Sequence, residues 1–211
     1  RAAVTSQDTG RFDVLIAGGS VLDGTGRPAQ RLDVAIRGDR IVAMSATLPR
    51  ARATRVIEAA GRIVSPGFID LHAHLEPLLQ LPLAESALRQ GVTLAVGGPD
   101  GGSPLPLGAY TDSVVRATVG INVAYLIGHN DIRRAVMGMS NAAPTPDQLS
   151  RMQALVRQGM QDGAFGLSTG LLYLPGTYST VDEVVALASV AASAGGIYTS
   201  HLRKEGIGLL D

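Results

Sequence analysis

The segment that most constrains the fold covers residues 65–74, an apolar strand entered through a Pro-Gly turn and ending in His72 and His74. In an extended strand, residues two apart point to the same side, so both imidazoles are expected to face one point. Neutral imidazole is a common ligand of zinc and related divalent metals. Two unrelated histidines on a half-exposed strand would give the same short pattern. The apolar run before the pair, in a chain with only four histidines, favours the metal site.

The residues before this segment predict β-structure. Apolar and polar residues alternate over 12–17 and again over 32–36, and Gly38-Asp39 is typical of a two-residue hairpin turn. Short strands joined by tight turns predict a small β-sandwich. We therefore expect a flexible leader over residues 1–10 and the N-terminal part of a β-sandwich over residues 11–65. The polar leader is compatible with a cytoplasmic protein or, if it follows a cleaved signal peptide, a periplasmic one, so localisation stays open.

After His74 the pattern changes to alternating helices and short apolar strands. Further strands are predicted over 92–96, 122–127, 165–168 and 197–201. Helices are predicted over 84–90 and 110–119, and after two capping boxes, Thr145 to Gln148 and Thr180 to Glu183. This alternation is typical of a parallel sheet with crossover helices.

The predicted fold class is therefore α/β, and residues 66–211 are expected to form the first part of a (β/α)8 TIM-like barrel. A complete barrel takes about 250 residues, whereas only 137 residues follow His74. Five strands are visible in the sequence. We expect the other three strands beyond Asp211, so that the chain is an incomplete barrel.

The histidines follow one rule of parallel barrels, in which the chemistry gathers at the carboxyl ends of the strands. His72 and His74 end the first predicted strand, Asp100 follows the second, His129 the third and His201 the fifth. Scattered structural histidines would have no reason to collect at one end. Asp100 can alternatively be a simple turn residue, and His129 is interpreted as a loop residue beside the site and not as a ligand.

Composition excludes several other classes. The formal net charge is zero and no block of like charge occurs, so the sequence gives no indication of nucleic-acid binding. The absence of cysteine excludes disulfides and thiolate ligands. No run approaches the roughly 18 apolar residues of a membrane-spanning helix, and we expect no membrane association.

Four segments together resemble one known family. Residues 66–74, Pro-Gly-Phe-Ile-Asp-Leu-His-Ala-His, resemble the first metal-ligand strand of the amidohydrolase superfamily. Residues 98–104, 165–173 and 198–203, in this order, are similar to the N-acyl-D-amino-acid deacylase (D-aminoacylase) family. The resemblance covers about residues 12–211.

The resemblance implies a centre that holds one or two zinc ions. His72 and His74 would bind its more exposed position, and His201 the tighter one. Better-known members bridge the metals with a cysteine, whereas the matching position here is Asp100. A carboxylate can also bridge two zinc ions. Tyr173 matches a tyrosine that contacts the substrate carboxylate, although a packing role in its loop is almost equally compatible.

The implied reaction is metal-assisted hydrolysis of a small-molecule N-acyl-D-amino acid. The aspartate expected to transfer the proton lies on a later strand, beyond Asp211, so no catalytic residue is assigned within the sequence. Residues 1–211 alone are therefore expected to be inactive, and their expected partner is the missing C-terminal part of the same protein.

Two alternatives remain open at this point. Hydrolysis of a cyclic amide or a dipeptide would suit another amidohydrolase, but relatives of that kind use a bridging lysine, and Lys204 lies in a loop past His201. An inactive half-barrel with a structural or interaction role is the second alternative.

Overall fold

The computed structural model describes residues 10–209, and the chain divides into two compact units that meet between Pro66 and Gly67. Nearly all of the predicted leader lies outside the described residues. Its flexibility stays a prediction.

The first unit is a single mixed sheet in the described residues. Its strands are β1 (Phe12–Val21), β2 (Gln30–Arg37), β3 (Arg40–Ser45), β4 (Ala53–Glu58) and β5 (Ile63–Val64). The order is β3-β2-β1-β4, and β5 continues the pairing along β1. The predicted hairpin at Gly38-Asp39 is confirmed, since Arg37 pairs with Arg40 across it. β4 and β5 run parallel to β1, which no simple meander of hairpins would give. The second layer of a sandwich stays a prediction.

The second unit alternates strands and helices. Its strands are β6 (Phe68–Asp70), β7 (Val92–Gly97), β8 (Asn122–Tyr125), β9 (Ile127–Gly128), β10 (Gly166–Gly170) and β11 (Ile197–His201). Its helices are α1 (Glu85–Arg89), α2 (Leu107–Ala117), α3 (His129–Met137), α4 (Pro146–Gln161) and α5 (Val181–Ser193). The mixed α/β class is therefore as predicted.

All strand pairs of the second unit are parallel. They form two three-stranded sheets, β6-β7-β8 and β11-β10-β9. The predicted strand over 122–127 is split into β8 and β9 at Leu126, whose amide donates to the Gly97 carbonyl at 2.9 Å. The core lies between β9 and β10 and helices α4 and α5, and its fully buried members include Ile127, Met152, Leu167 and Leu187.

The two predicted capping boxes differ in the structure. At α4 the box is complete, because the Thr145 hydroxyl accepts from the Gln148 amide and the Gln148 side chain accepts from the Thr145 amide. At α5 only half is present, and the prediction of a second box is wrong in that respect. The Thr180 hydroxyl accepts from the Glu183 amide, but the Glu183 side chain turns into the interior.

Burial varies sharply across the parallel strands. Every residue of β10 is buried, whereas all three residues of β6 are exposed, and Ile197 at the start of β11 is 56% exposed. Strands β6 and β11 are each an edge strand of their sheet, and β8 and β9 form the other two edges. Within residues 10–209, no helix has the length and apolar character needed to cross a membrane.

Candidate metal centre

His72 and His74 converge, but not by the predicted strand geometry. β6 ends at Asp70, and the Asp70 carboxylate accepts from the His72 amide at 3.1 Å, so both histidines lie in the bend beyond the strand. The prediction that the strand extends through both histidines is therefore wrong. The bend nevertheless directs both rings at one carboxylate. His72 Nε2 lies 3.1 Å from Asp100 Oδ2, and His74 Nε2 lies 3.4 Å from the same oxygen.

Asp100 occupies a tight turn after β7. Its φ of 56° is in the left-handed region, which aspartate tolerates better than most residues. A side chain from β10, a strand of the other parallel sheet, fixes the turn on both sides. The Ser168 hydroxyl, in β10, accepts from the Gly101 amide at 3.1 Å and donates to the Gly98 carbonyl at 2.5 Å. The left-handed turn thus turns the Asp100 carboxylate towards the histidines.

His201 reaches Asp100 from the opposite side. It is the last residue of β11, and its Nδ1 lies 3.3 Å from Asp100 Oδ1. The two oxygens of one carboxylate are therefore divided, with Oδ2 facing His72 and His74, and Oδ1 facing His201. Tyr173 packs its ring against the His201 ring at 4.7 Å, and its hydroxyl lies 3.4 Å from His201 Nδ1.

The donor atoms suit a divalent metal ion. One ligand atom each from His72, His74 and Asp100 lies within 4.8 Å of the other two, and His201 adds a third imidazole nitrogen beside Asp100. Imidazole nitrogen and carboxylate oxygen are the donors that zinc takes in the absence of cysteine. A cleft of about 240 Å³ lined by His72, Asp100 and His201 gives a small molecule access to these groups.

His129 does not join this cluster. It begins α3, has no exposed surface, and its Nε2 lies 2.8 Å from Glu183 Oε1. The other Glu183 oxygen accepts from Arg133 at 3.4 Å, and the side chains of all three residues are fully buried. Three of the four histidines predicted to collect at one end therefore surround Asp100, and the fourth belongs to a separate buried ionic cluster.

Asn130 is a residue of the site region that sequence reasoning missed. It is 4% exposed and follows His129 in α3. Its amide donates to the Gly101 carbonyl at 2.9 Å, next to Asp100. Its side chain donates to the Gly170 carbonyl at 2.9 Å and accepts from the Gly170 amide at 3.2 Å, at the start of the loop that carries Tyr173. One residue thus holds both the Asp100 turn and the Tyr173 loop.

The backbone packs so closely around Asn130 that three neighbouring positions have no room for a side chain. A Cβ at Gly101 would lie 2.2 Å from Asn130 Oδ1, and one at Gly176 would lie 2.4 Å from the same atom. A Cβ at Gly170 would lie 2.0 Å from the Asp100 carbonyl. The glycine-rich segments over 98–102 and 170–176 are the only signal in the sequence that pointed to such close backbone packing.

Replacing Asn130 with aspartate is expected to disturb the site. The substitution keeps the shape but sets a carboxylate oxygen against the Gly170 carbonyl, and an unsatisfied buried polar pair costs about 1–3 kcal/mol. We expect a lower urea midpoint and a weaker affinity for zinc. The matched control is Asn122→Asp, because Asn122 is exposed and donates a single bond to the Thr93 carbonyl. Equal stability and zinc affinity in the two variants would contradict the role of Asn130.

The sequence was also compared with those of known proteins. Residues 55–206 match the amidohydrolase family. The chain is 39% identical to N-acyl-D-glutamate deacylase of Alcaligenes xylosoxydans xylosoxydans, over 93% of this chain and 45% of that protein. It is also 34% identical to D-aminoacylase of the same organism, over 96% of this chain and 47% of that protein. The chain thus spans about half the length of the curated relatives it matches.

Solved structures of the same two kinds of enzyme are also similar to this chain. A D-aminoacylase with a binuclear metal centre has a TM-score of 0.87 and 34% identity, over 94% of this chain and 47% of that one. N-acyl-D-glutamate deacylase from Bordetella bronchiseptica, in complex with zinc and a phosphonate that mimics the tetrahedral intermediate, has a TM-score of 0.88 and 36% identity over the same shares. These matches confirm the resemblance to the N-acyl-D-amino-acid deacylases.

Proposed function

The chain belongs to the amidohydrolase family, and from that membership we propose that the protein hydrolyses the amide bond of N-acyl-D-amino acids. One observation carries the proposal. A single carboxylate lies among three histidines in a chain that is similar, over more than nine-tenths of its length, to N-acyl-D-glutamate deacylase and D-aminoacylase. The substrate would be a small molecule that enters through the cleft lined by His72 and His201.

We propose that His72, His74, Asp100 and His201 hold one or two zinc ions. The division of the Asp100 oxygens supports a bridging role, because Oδ2 faces the His72 and His74 pair while Oδ1 faces His201. When bound, zinc supplies a coordinated water whose pKa is lowered towards about 7 and polarises the scissile carbonyl. Asp100 would stand where better-known members of the family have a cysteine.

Tyr173 is the residue of this chain best placed to orient the substrate. Its side chain is partly exposed, and its hydroxyl lies beside His201, so it can donate to a carboxylate bound in the cleft. The Asn130 side chain bonds to Gly170 and its main-chain amide to Gly101, and these bonds would keep this hydroxyl at a fixed distance from the Asp100 carboxylate. That fixed distance would favour substrates whose carboxylate and amide are close together, as in an N-acyl amino acid.

The parallel strands of the second unit, with β8 and β9 taken as two halves of one strand, are proposed to be the first five strands of a (β/α)8 barrel. Residues proposed as metal ligands lie at the carboxyl ends of β6, β7 and β11, as expected for such a barrel. The exposed apolar side chains of Phe68 and Ile69 on β6 and of Ile197 on β11 support pairing of these outer strands with further strands.

The proposed function is tested by stereoselective hydrolysis. Protein expressed from its complete reading frame, loaded with zinc, is expected to release free amino acid from N-acetyl-D-glutamate and not from the L enantiomer. A hydantoin serves as the substrate of the alternative cyclic-amide activity, and residues 1–211 expressed alone are expected to be inactive. Hydrolysis of the hydantoin without hydrolysis of either N-acetyl enantiomer would overturn the proposal.

A further inference from the structure

We propose that Glu205 is a positioning residue that fixes the His201 imidazole for metal binding. The inference deepens the proposed function and rests on the metal site described there. Glu205 was not among the residues that the sequence singled out.

The geometry of the His201 ring carries the argument. Its two nitrogens have different partners, since Nδ1 lies 3.3 Å from Asp100 Oδ1 and Nε2 lies 2.6 Å from Glu205 Oε1. The contact to Glu205 is the shortest that the ring makes. The Tyr173 ring packs against one face of the imidazole at 4.7 Å, and the shorter contact to Glu205 fixes the direction of its Nε2 edge.

The chemistry of the pair then assigns the proton. An ionised carboxylate only accepts hydrogen bonds, and because Glu205 lies 2.6 Å from Nε2 while Asp100 lies 3.3 Å from Nδ1, the shorter contact favours the tautomer with its hydrogen on Nε2. In a neutral imidazole the lone pair is then on Nδ1, the nitrogen that faces Asp100. Metal-bound histidines commonly donate their other N–H to a carboxylate in this way, which fixes the tautomer and makes the ligand more basic.

Glu205 is better assigned as an orienting group than as a ligand. Its carboxylate lies at the Nε2 edge of the ring, whereas Asp100, the proposed bridging ligand, lies at the Nδ1 edge. His74 provides a useful contrast within the same site. Its Nδ1 lies 3.5 Å from Glu76 Oε1, a weaker contact than the 2.6 Å between His201 and Glu205.

The test is zinc affinity in the protein expressed from its complete reading frame, measured by competition with a chromophoric chelator. Glu205→Ala removes the acceptor and is expected to weaken zinc binding roughly 10–100-fold. Glu205→Gln keeps a neutral acceptor and should recover much of that loss. Glu85→Ala is the matched control, because Glu85 is an exposed glutamate that pairs only loosely with Arg89 at 3.6 Å. It should bind zinc like the unmodified protein.

The outcomes separate this inference from the proposed function. If the unmodified protein binds zinc and Glu205→Ala binds it equally well, the positioning role is wrong while the metal site stands. An equal loss in the Ala and Gln variants would also overturn it, because charge alone would then attract the metal. If the unmodified protein binds no zinc, the proposed function fails and the inference fails with it. Glu205 is largely exposed, so an unchanged melting temperature of the metal-free protein is expected in both variants.

Discussion

Replacing His201 with alanine is expected to strip most of the zinc from the protein expressed from its complete reading frame. His201 is the only described residue whose ring nitrogen faces Asp100 Oδ1, so its loss leaves that side of the carboxylate without an imidazole. The loss of a ligand should weaken binding by more than the roughly 10–100-fold that the loss of an outer partner costs. Zinc per protein is measured by mass spectrometry after dialysis against a weak chelator.

The control uses the histidine that lies outside the cluster. His129→Gln removes the same kind of ring, but His129 contacts Glu183 and not Asp100. This variant is expected to keep its zinc while losing stability. Asp100→Asn should lie between the two in zinc content, since it keeps one oxygen acceptor. Unchanged zinc content in His201→Ala would remove His201 from the site.

Replacing Glu183 with alanine is expected to lower the free energy of unfolding by about 3–5 kcal/mol. The substitution leaves the guanidinium of Arg133 buried without its carboxylate, and His129 loses its 2.8 Å partner. The side chains of all three residues are fully buried, so water cannot replace the lost contacts. Urea unfolding, followed by circular dichroism, measures the change.

Two further measurements accompany this test: a control at an exposed glutamate, and a double substitution that measures the coupling between Arg133 and Glu183. Glu85→Ala removes an exposed carboxylate and should cost no more than about 0.5 kcal/mol. The double variant Arg133→Met with Glu183→Leu removes both charges, and residues in contact are not additive, so its cost should be smaller than the sum of the single costs. Strict additivity would show that the buried pair is not coupled.

The parts predicted from the sequence are those encoded by local patterns. The alternation of strands and helices after residue 74, the α4 capping box and the hairpin at Gly38-Asp39 all depend on residues close together in the chain. The convergence of His72, His74 and His201 on Asp100 was also foreseen, because the rule about strand ends places distant residues at one edge.

Helix α3 was missed for a physical reason. It begins directly after β9, and its N-cap, Gly128, offers no side chain to cap it. His129, Asn130 and Arg133 are polar residues on its buried side, and only Ile132, Val136 and Met137 give it a short apolar stripe. Part of its buried side is polar because His129 packs against Glu183 and Asn130 against the Gly170 loop, 54 and 40 residues further along the chain.

Glu183 illustrates how a long-range contact overrides a local one. Its spacing from Thr180 predicts a complete capping box, yet its side chain bonds to His129 and Arg133 instead. A buried histidine and arginine stabilise a carboxylate more than the exposed amide at a helix end would. No spacing rule could reveal this, because the partners are brought together only by the fold.

The central claim is that His72, His74, Asp100 and His201 form one metal centre. Anomalous X-ray diffraction at the zinc absorption edge, from crystals of the protein expressed from its complete reading frame, tests it most directly. The account predicts one or two peaks in contact with the Asp100 carboxylate, bounded by His72 and His74 on the Oδ2 side and by His201 on the Oδ1 side. Zinc peaks that contact none of these four side chains, or zinc-loaded crystals without a peak at Asp100, would contradict it.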